Sequence, residues 1–191
     1  MNRDNRLKLA FVTTNKHKFE EVRDVLSEFG IETEWINEES LETEGEIDVV
    51  AKQKAKHACS RFDKTLVVED TGLFFEAYNN FPGPNPKFVF NSIGYDGIMR
   101  LLKGKSRKAH FRTVAAYCIP GKGPKLFDGI MKGEITEKVF NPKKDAMPYD
   151  RIFIPEEYDK TISDMTLKEK NTFSQRAKAF RKLGEYLAKK R

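Results

Sequence analysis

The sequence predicts an α/β fold in which strand–helix units at both ends of the chain enclose an antiparallel set of strands. Near both termini, short apolar segments are followed by segments whose apolar residues recur every three or four positions, as in amphipathic helices. In the middle, residues 109–119 alternate between apolar and polar side chains, which is typical of a half-buried strand. A chain of 191 residues is long enough for one sizeable core. We therefore expect a single domain of two lobes spanning residues 1–191.

Composition and charge limit the classes of function. The net charge of +6 favours anionic partners, without choosing among nucleotides, nucleic acid and acidic surfaces. The chain contains no apolar run of membrane-spanning length, and residues 1–8 lack the apolar core of a signal peptide. Cys59 and Cys118 have neither metal-ligand spacing nor the number needed for a disulfide framework, which favours buried thiols in a reducing compartment. We expect a cytoplasmic protein without a membrane partner.

The first strand–helix unit offers a site for phosphate. Residues 7–13 are apolar enough for a strand, and Thr14 or Asn15 is a suitable N-cap for the amphipathic helix that follows. A helix N-terminus presents free backbone N–H groups and a positive dipole end, and Lys18 adds a charge one turn further on. The alternative interpretation is an ordinary helix cap flanked by solvated lysines.

The second unit contains an acidic loop. Residues 31–36 are predicted to form a strand and residues 47–62 a helix. The inner face of this helix is made by Ile47, Val50, Ala51, Ala55, Ala58 and Cys59. Residues 38–46 lie between them and carry glutamates at positions 42, 44 and 46. Acidic loops are usually solvated, so composition alone does not single out one of these glutamates.

The next stretch carries two adjacent carboxylates. Residues 66–68 predict a buried strand, and Glu69 and Asp70 follow where we expect that strand to emerge. Gly72 would then allow a sharp turn into residues 73–77, a further strand or hairpin arm. Ligands of open α/β sheets bind outside the carboxyl ends of strands, so this is a natural place for a metal and a substrate. The alternative is an acidic turn without function.

The middle of the chain contains a rigid loop and a broken helix. Three prolines between residues 81 and 86 predict a fixed loop without regular structure. Residues 87–90 and 97–102 are predicted helices that are interrupted near Gly94.

A meander and a polar loop precede the C-terminal helices. Residues 125–130 and 132–139 are predicted as two strands that follow the strand at 109–119 and are separated near Met131. Residues 141–151 form a polar loop before a short strand at 152–155.

The C-terminal segment predicts two successive helices. Thr166 and Glu169 have the spacing of a capping box. Ser174 is suited to begin the longer helix, whose apolar residues recur at helical spacing.

Four separated signatures together resemble one enzyme family. They are Thr14-Asn15-x-x-Lys18-x-x-Glu21, Glu69-Asp70-Thr71-Gly72-Leu73, Phe81-Pro82-Gly83-Pro84 and Glu169-Lys170-Asn171-x-x-Ser174-Gln175-Arg176. In this order they resemble the inosine/xanthosine triphosphate pyrophosphatase family from about residue 11 to residue 183. The resemblance implies a long mixed sheet that splits into two lobes, with helices packed around a central cleft, and a homodimer. It also implies Mg²⁺-dependent conversion of non-canonical purine nucleoside triphosphates such as ITP, XTP and dITP to monophosphate and pyrophosphate.

The resemblance also implies roles for particular residues. Asp70 would be the catalytic residue, a metal ligand and the base for the attacking water. The substrate-binding residues would be Thr13, Thr14, Asn15, Lys18, Lys54, Thr71, Lys87, Met147, Tyr149, Asp150, Lys170, Gln175 and Arg176. Glu42 matches a metal-binding glutamate, although the variable loop length leaves Glu44 or Glu46 as substitutes. Mg²⁺ prefers oxygen ligands, which Glu42, Glu69 and Asp70 supply. The three histidines have no ligand spacing, so we do not expect a histidine metal site.

The base-recognition segment departs from the family pattern. The family carries Phe-Gly-(Tyr/Trp)-Asp-Pro where this chain has Met147-Pro148-Tyr149-Asp150-Arg151, and Ser-His-Arg where this chain has Ser174-Gln175-Arg176. A thioether lacks π-stacking, and Pro148 removes a backbone N–H and restricts φ. We therefore predict altered base selectivity.

The alternative is a non-catalytic nucleotide or nucleic-acid binding module on the same scaffold. The chain has no recognisable nucleic-acid motif, and adjacent carboxylates repel a phosphate backbone. We therefore do not expect a nucleic-acid partner.

Overall fold

A computed structural model describes residues 7–41 and 43–190. In chain order the strands and α-helices are β1 (Leu7–Val12), α1 (Lys16–Ser27), β2 (Ile31–Ile36), α2 (Ile47–Phe62), β3 (Leu66–Phe75), β4 (Phe81–Gly83), α3 (Pro86–Leu101), β5 (Lys108–Cys118), β6 (Lys125–Ile135), β7 (Phe153–Pro155), α4 (Leu167–Phe173) and α5 (Gln175–Ala188). Short 3₁₀ helices cover Glu76–Tyr78, Pro148–Arg151 and Ile162–Asp164. Within this part of the chain, no helix is both long and apolar enough to cross a membrane.

The strands form one mixed sheet, as predicted. Its order is β2-β1-β3-β5-β6-β7, with β4 paired to β3. β1 is parallel to β2 and β3, whereas the pairs from β3 onward are antiparallel. This arrangement confirms the α/β class, and the division into two lobes stays a prediction.

The sheet opens beside the middle of β3. Because β5 pairs with all of β3, β1 and β4 must share its other edge. β1 reaches only Leu66 and Val67, and β4 begins opposite Leu73. Among the described strands, none pairs with residues 68–72 on that edge. The carboxylates of β3 therefore lie beside a gap in the sheet.

The two faces of the sheet are covered by different helices. Val67 belongs to a core with α1 and α5, whereas Val68 belongs to a core with α2. A third core lies around the other half of the sheet and includes Phe111 and Phe153. Since successive side chains of a strand point to opposite faces, Glu69 must face α1 and α5, and Asp70 must face α2.

The prediction that the strand ends at Glu69 and turns at Gly72 is wrong. β3 continues through both residues to Phe75, because each of its residues has a partner on β5. Gly72 lies opposite Arg112, and a Cβ at this position would be 2.8 Å from the Gly83 carbonyl oxygen. Close approach of β4, rather than a turn, requires this glycine.

Two further predictions in the middle of the chain are also wrong. Residues 81–86 are not entirely irregular, because β4 includes the cis Phe81–Pro82 bond at an edge where a missing N–H is tolerated. β6 is one strand through Met131 rather than two, since it pairs with β5 along nearly its whole length. The break near Gly94 is confirmed by its φ of 59° and ψ of −167° inside α3.

Both predicted starts of the C-terminal helices are confirmed. Thr166 and Glu169 form a reciprocal capping box at α4. Ser174 caps α5 by accepting the Ala177 N–H.

Candidate active site

The loop from Thr13 to Asn15 lies at the carboxyl end of β1 and starts α1. Asn15 is the N-cap, and its Oδ1 accepts a hydrogen bond from the Lys18 N–H at 3.2 Å. Thr13 Oγ1 accepts the Asn15 N–H at 3.1 Å. The loop is therefore held by its own side chains, and the first turn of α1 presents its remaining N–H groups at the carboxyl end of β1.

Lys18 extends from the first turn of α1 to Glu69. Its Nζ lies 2.5 Å from Glu69 Oε1, while Glu69 Oε2 accepts bonds from Thr71 Oγ1 at 2.8 Å and Arg176 Nε at 3.2 Å. Burial raises the pKa of Glu69, but Arg176 and Lys18 outweigh burial and lower that pKa to about 2. Glu69 is therefore a carboxylate with Oε2 hydrogen-bonded, whereas Oε1 has no hydrogen-bond partner among the described residues and is paired in charge with Lys18.

Asp70 faces the opposite side of the sheet and contacts Lys54 of α2. Lys54 Nζ lies 2.5 Å from Asp70 Oδ1. Asp70 Oδ2 is buried without a hydrogen-bond partner in the described part of the chain. Burial raises the pKa of Asp70, and the opposing effect of Lys54 does not restore its ordinary value. A buried carboxylate oxygen that lacks a donor is a suitable ligand for a cation.

The acidic loop before α2 carries the remaining candidate metal ligands. Glu42 lies outside the described residues, and Glu44 and Glu46 are exposed. Within residues 7–41 and 43–190, no group of three or more His, Cys, Asp or Glu side chains has an arrangement suited to a metal ion.

A buried ion network joins four elements behind Glu69. Lys170 Nζ of α4 lies 2.7 Å from Glu21 Oε1 of α1 and 2.7 Å from Asp150 Oδ2. Arg176 Nη1 of α5 lies 2.6 Å from Glu21 Oε2. Burial raises the pKa of Glu21, but the charges of Arg176 and Lys170 lower that pKa by more than burial raises it. The pKa of Glu21 is therefore below its ordinary value. For Asp150 burial prevails over Lys170, and its pKa is raised.

Glu21 was missing from the predicted site residues, although it stands in the first signature. The available signal was its position on the inner face of α1 next to Val22, where both residues are buried. A carboxylate on the apolar stripe of an amphipathic helix requires a charged partner from another element.

A cavity of about 150 Å³ adjoins this network. Its lining includes Glu21, Asp150 and Lys170. Met147, from the segment 147–151 that differs from the family pattern, also lines the cavity. The Sδ of Met147 also lies 4.0 Å from Asn15 Nδ2, so this side chain lies between the cavity and the loop at the start of α1. The cavity is therefore lined by charged groups and by the polarizable side chain of Met147.

The remaining predicted residues are more scattered. Tyr149 belongs to the third core, and its hydroxyl donates to the Pro86 carbonyl oxygen at 3.0 Å. Gln175 is buried next to Arg176, and Lys87 is exposed in the first turn of α3. The described contacts therefore bring together Lys18, Lys54, Glu69, Asp70, Thr71, Asp150, Lys170 and Arg176, with Thr13, Asn15 and Met147 at one side.

Comparison with known proteins gives consistent matches over nearly the whole chain. A model of the Ham1 family matches residues 9–186. A dITP/XTP pyrophosphatase of Saccharolobus solfataricus is 39% identical over 183 residues, covering 95% of this chain and 94% of that protein. A dITP/XTP pyrophosphatase of Hyperthermus butylicus is 40% identical over 182 residues, covering 94% of each chain.

Solved structures show the same fold. A HAM1 protein from Coxiella burnetii superposes with a TM-score of 0.79 at 24% identity, covering 96% of this chain and 99% of that chain. The Staphylococcus aureus Ham1 protein gives a TM-score of 0.69 at 22% identity, covering 95% and 100%. These matches confirm the resemblance indicated by the four signatures, and the chain belongs to the Ham1 family.

Proposed function

We propose that this protein hydrolyses nucleoside triphosphates that carry deaminated purines, such as dITP, ITP and XTP, to the monophosphate and pyrophosphate, with Mg²⁺ as cofactor. Curated relatives in the same family are named for pyrophosphatase activity on dITP and XTP. The observation that carries the proposal is the Asp70–Lys54 pair beside the gap in the sheet, with Asp70 Oδ2 buried and without a partner among the described residues.

The lysines supply the charge that a polyphosphate requires. Lys18 and Lys54 lie on opposite sides of β3 and are each paired with a carboxylate in this structure. A bound triphosphate offers both ammonium groups phosphate oxygens as new partners. Fixed cations stabilise the charge that develops on the leaving pyrophosphate.

Asp70 is the proposed cation ligand, because its free oxygen needs a positive partner. A second ligand would come from the acidic loop, where Glu42 is the proposed residue and Glu44 or Glu46 the substitutes. Glu69 is less suited to this task, since Lys18 and Arg176 already engage its oxygens. When bound, Mg²⁺ would neutralise phosphate charge and lower the pKa of a coordinated water.

Asp70 also has the chemistry of a general base. In the proposed reaction, the Asp70 carboxylate takes a proton from the water that attacks the α-phosphorus. The bond from that phosphorus to the bridging oxygen of the β-phosphate breaks, and pyrophosphate leaves with the bonding electron pair. A positioned carboxylate typically contributes about 10²–10⁴-fold to such a proton transfer.

Base selectivity is proposed to differ from the family pattern. The cavity beside Lys170 has Met147 in its wall, where the family carries a stacking phenylalanine. Turnover of ITP, XTP, GTP and dUTP, measured in parallel, tests this part of the proposal. We expect Met147→Phe combined with Gln175→His to shift the preference toward ITP and XTP, and an unchanged preference would contradict the altered selectivity.

The central experiment is pyrophosphate release from ITP by Asp70→Asn. We expect a loss of at least about 100-fold in kcat with an unchanged circular dichroism spectrum. Glu32→Gln, an exposed acid on β2, is the matched control and should retain full activity. Full activity of Asp70→Asn would overturn the proposal, and salt-sensitive RNA binding without turnover by the wild type would favour the binding module.

The proposal also covers the oligomeric state and the cellular location. We propose a homodimer in the cytoplasm, in keeping with the family pattern and the cysteine content. Light scattering on the purified protein tests the first property, and cell fractionation tests the second.

A further inference from the structure

Trp35 connects the edge strand β2 to the loop at the start of α1. Its indole Nε1 donates a hydrogen bond of 2.7 Å to the carbonyl oxygen of Thr13. The indole ring stacks on Phe19 of α1, with ring centroids 4.9 Å apart and an angle of 12° between the planes. The stacking and the hydrogen bond together hold the indole in one orientation against the loop.

Thr13 is therefore held by β2 at both of its backbone groups. Its N–H donates to the Ile36 carbonyl oxygen at 3.1 Å, and its carbonyl accepts from Trp35. A trans peptide is planar, so the Thr14 N–H must point opposite to the Thr13 carbonyl, away from Trp35. Among the described residues, the Thr14 N–H has no acceptor. This donor lies next to Asn15, the N-cap that begins α1.

We propose that Trp35 is a positioning residue, whose indole N–H aims the Thr14 N–H at the phosphate chain of the nucleotide. The proposal rests on the proposed triphosphate hydrolysis and adds a residue that the four signatures do not contain. Trp35 contacts neither the base cavity nor the carboxylates in the interactions described above, so its effect is on phosphate binding. The ligand class is a polyphosphate, whatever base it carries.

Trp35→Phe tests the proposal, because it keeps an aromatic ring on Phe19 and removes the indole donor. We expect a two- to tenfold higher KM for ITP, about the effect of one lost hydrogen bond, with kcat within about twofold of wild type. Calorimetry with inorganic tripolyphosphate and Mg²⁺ should show an equal loss of affinity. Thr33→Val is the matched control, since Thr33 shares the strand and the face of Trp35, and its values should equal those of wild type.

The outcomes separate this proposal from the proposed function. If the wild type releases pyrophosphate and a folded Trp35→Phe keeps both the KM and the tripolyphosphate affinity, the positioning role is overturned and the function stands. If the wild type has no turnover, the function fails, and the tripolyphosphate comparison still decides the role of Trp35. An equal loss in Thr33→Val would also overturn the role, because the effect would then belong to the strand.

A measurement on the unmodified protein covers the case in which Trp35→Phe does not fold. The chain has one tryptophan, so its indole N–H gives a single cross-peak in a ¹⁵N correlation spectrum. We expect this cross-peak to shift when tripolyphosphate and Mg²⁺ are added together. A cross-peak that stays in place at saturating tripolyphosphate would overturn the proposal.

Discussion

At the scale of single residues, Glu21 is a carboxylate buried between two cations. Its two oxygens pair with Lys170 and Arg176, and all three side chains are at least 92% buried, since their exposed fractions are 3%, 8% and 2%. Buried charges are tolerated only when each has a partner with good geometry. Removal of this one carboxylate therefore leaves two buried cations with fewer partners than they need.

Glu21→Gln should lower the free energy of unfolding by about 3–5 kcal/mol, the usual cost of breaking a buried ion pair from one side. Urea denaturation at neutral pH measures this change. Glu28→Gln is the control, because Glu28 also pairs with an arginine, Arg181, but both side chains are substantially exposed. We expect a loss below about 1 kcal/mol for the control, and equal losses in the two variants would contradict the special role of Glu21.

Lys54 is expected to compete with a metal ion for Asp70. Because Lys54 Nζ lies 2.5 Å from Asp70 Oδ1, Lys54→Met should raise the affinity of the nucleotide-free protein for Mn²⁺ while it raises the KM for ITP. Calorimetry gives the first quantity and steady-state kinetics the second. Lys56→Met, an exposed lysine on the same helix, should change neither value. A weaker Mn²⁺ affinity in Lys54→Met would argue against Asp70 as the ligand.

At the scale of secondary structure elements, α5 packs directly on β6 at Gly129. A Cβ at this position would lie 2.1 Å from the Gln175 carbonyl oxygen and 2.8 Å from the Ala179 nitrogen. The first turn of α5 also carries Arg176, so the absence of a side chain on β6 sets where this guanidinium lies.

Gly129→Ala should therefore cost about 1–3 kcal/mol of stability by overpacking and should also lower turnover. Thermal unfolding and ITP hydrolysis measure the two effects. Gly123→Ala, in the β5–β6 connection where a Cβ meets nothing within 4 Å, is the control and should change neither. Unchanged turnover in Gly129→Ala would show that α5 can shift without disturbing the site.

The start of α4 should be sensitive to acid. The backbone N–H of Thr166, together with Lys160, lowers the pKa of Glu169 from 4.5 to about 2. A lowered pKa in the folded state means that the stabilising contribution is present above about pH 4.5 and is lost as the pH falls toward 2. The difference in Tm between wild type and Glu169→Gln should therefore shrink over that interval. Glu157→Gln, an exposed loop variant, should give a constant difference, and a constant difference for Glu169→Gln would contradict the capping role.

At the scale of the whole molecule, folding and metal binding should be separable. Three hydrophobic cores support the sheet and its helices, and the described site charges are largely paired with one another. We expect EDTA to abolish ITP turnover, with recovery on addition of Mg²⁺. The Tm should fall by less than about 4 °C, the upper shift that 1 kcal/mol produces in a domain of this size. Cooperative unfolding in EDTA would instead assign the cation a structural role.

The sequence predicted most of the local structure and several members of the site. Helical spacing predicted α1 and α2, and capping residues predicted the starts of α4 and α5. Predictions failed for the acidic end of β3 and for Met131 in β6. At both positions, pairing with β5 continues a strand beyond the residue where local composition predicts its end. Such pairing joins residues far apart in the chain, so a local pattern does not contain it.

The sequence by itself determined the family, the α/β class and the presence of acids and lysines in several separated segments, because these depend on residue type and spacing. Only the tertiary structure decided which charged side chains form ion pairs with each other. The strand alternation of β3 turns Glu69 toward Lys18 and Arg176 and turns Asp70 toward Lys54. The fold also brings Glu21 to Lys170 and Trp35 to Thr13. Two buried carboxylate oxygens of β3 have no hydrogen-bond partner among the described residues. Glu69 Oε1 lies 2.5 Å from the Lys18 ammonium group, and Asp70 Oδ2 is the oxygen that we propose for a cation.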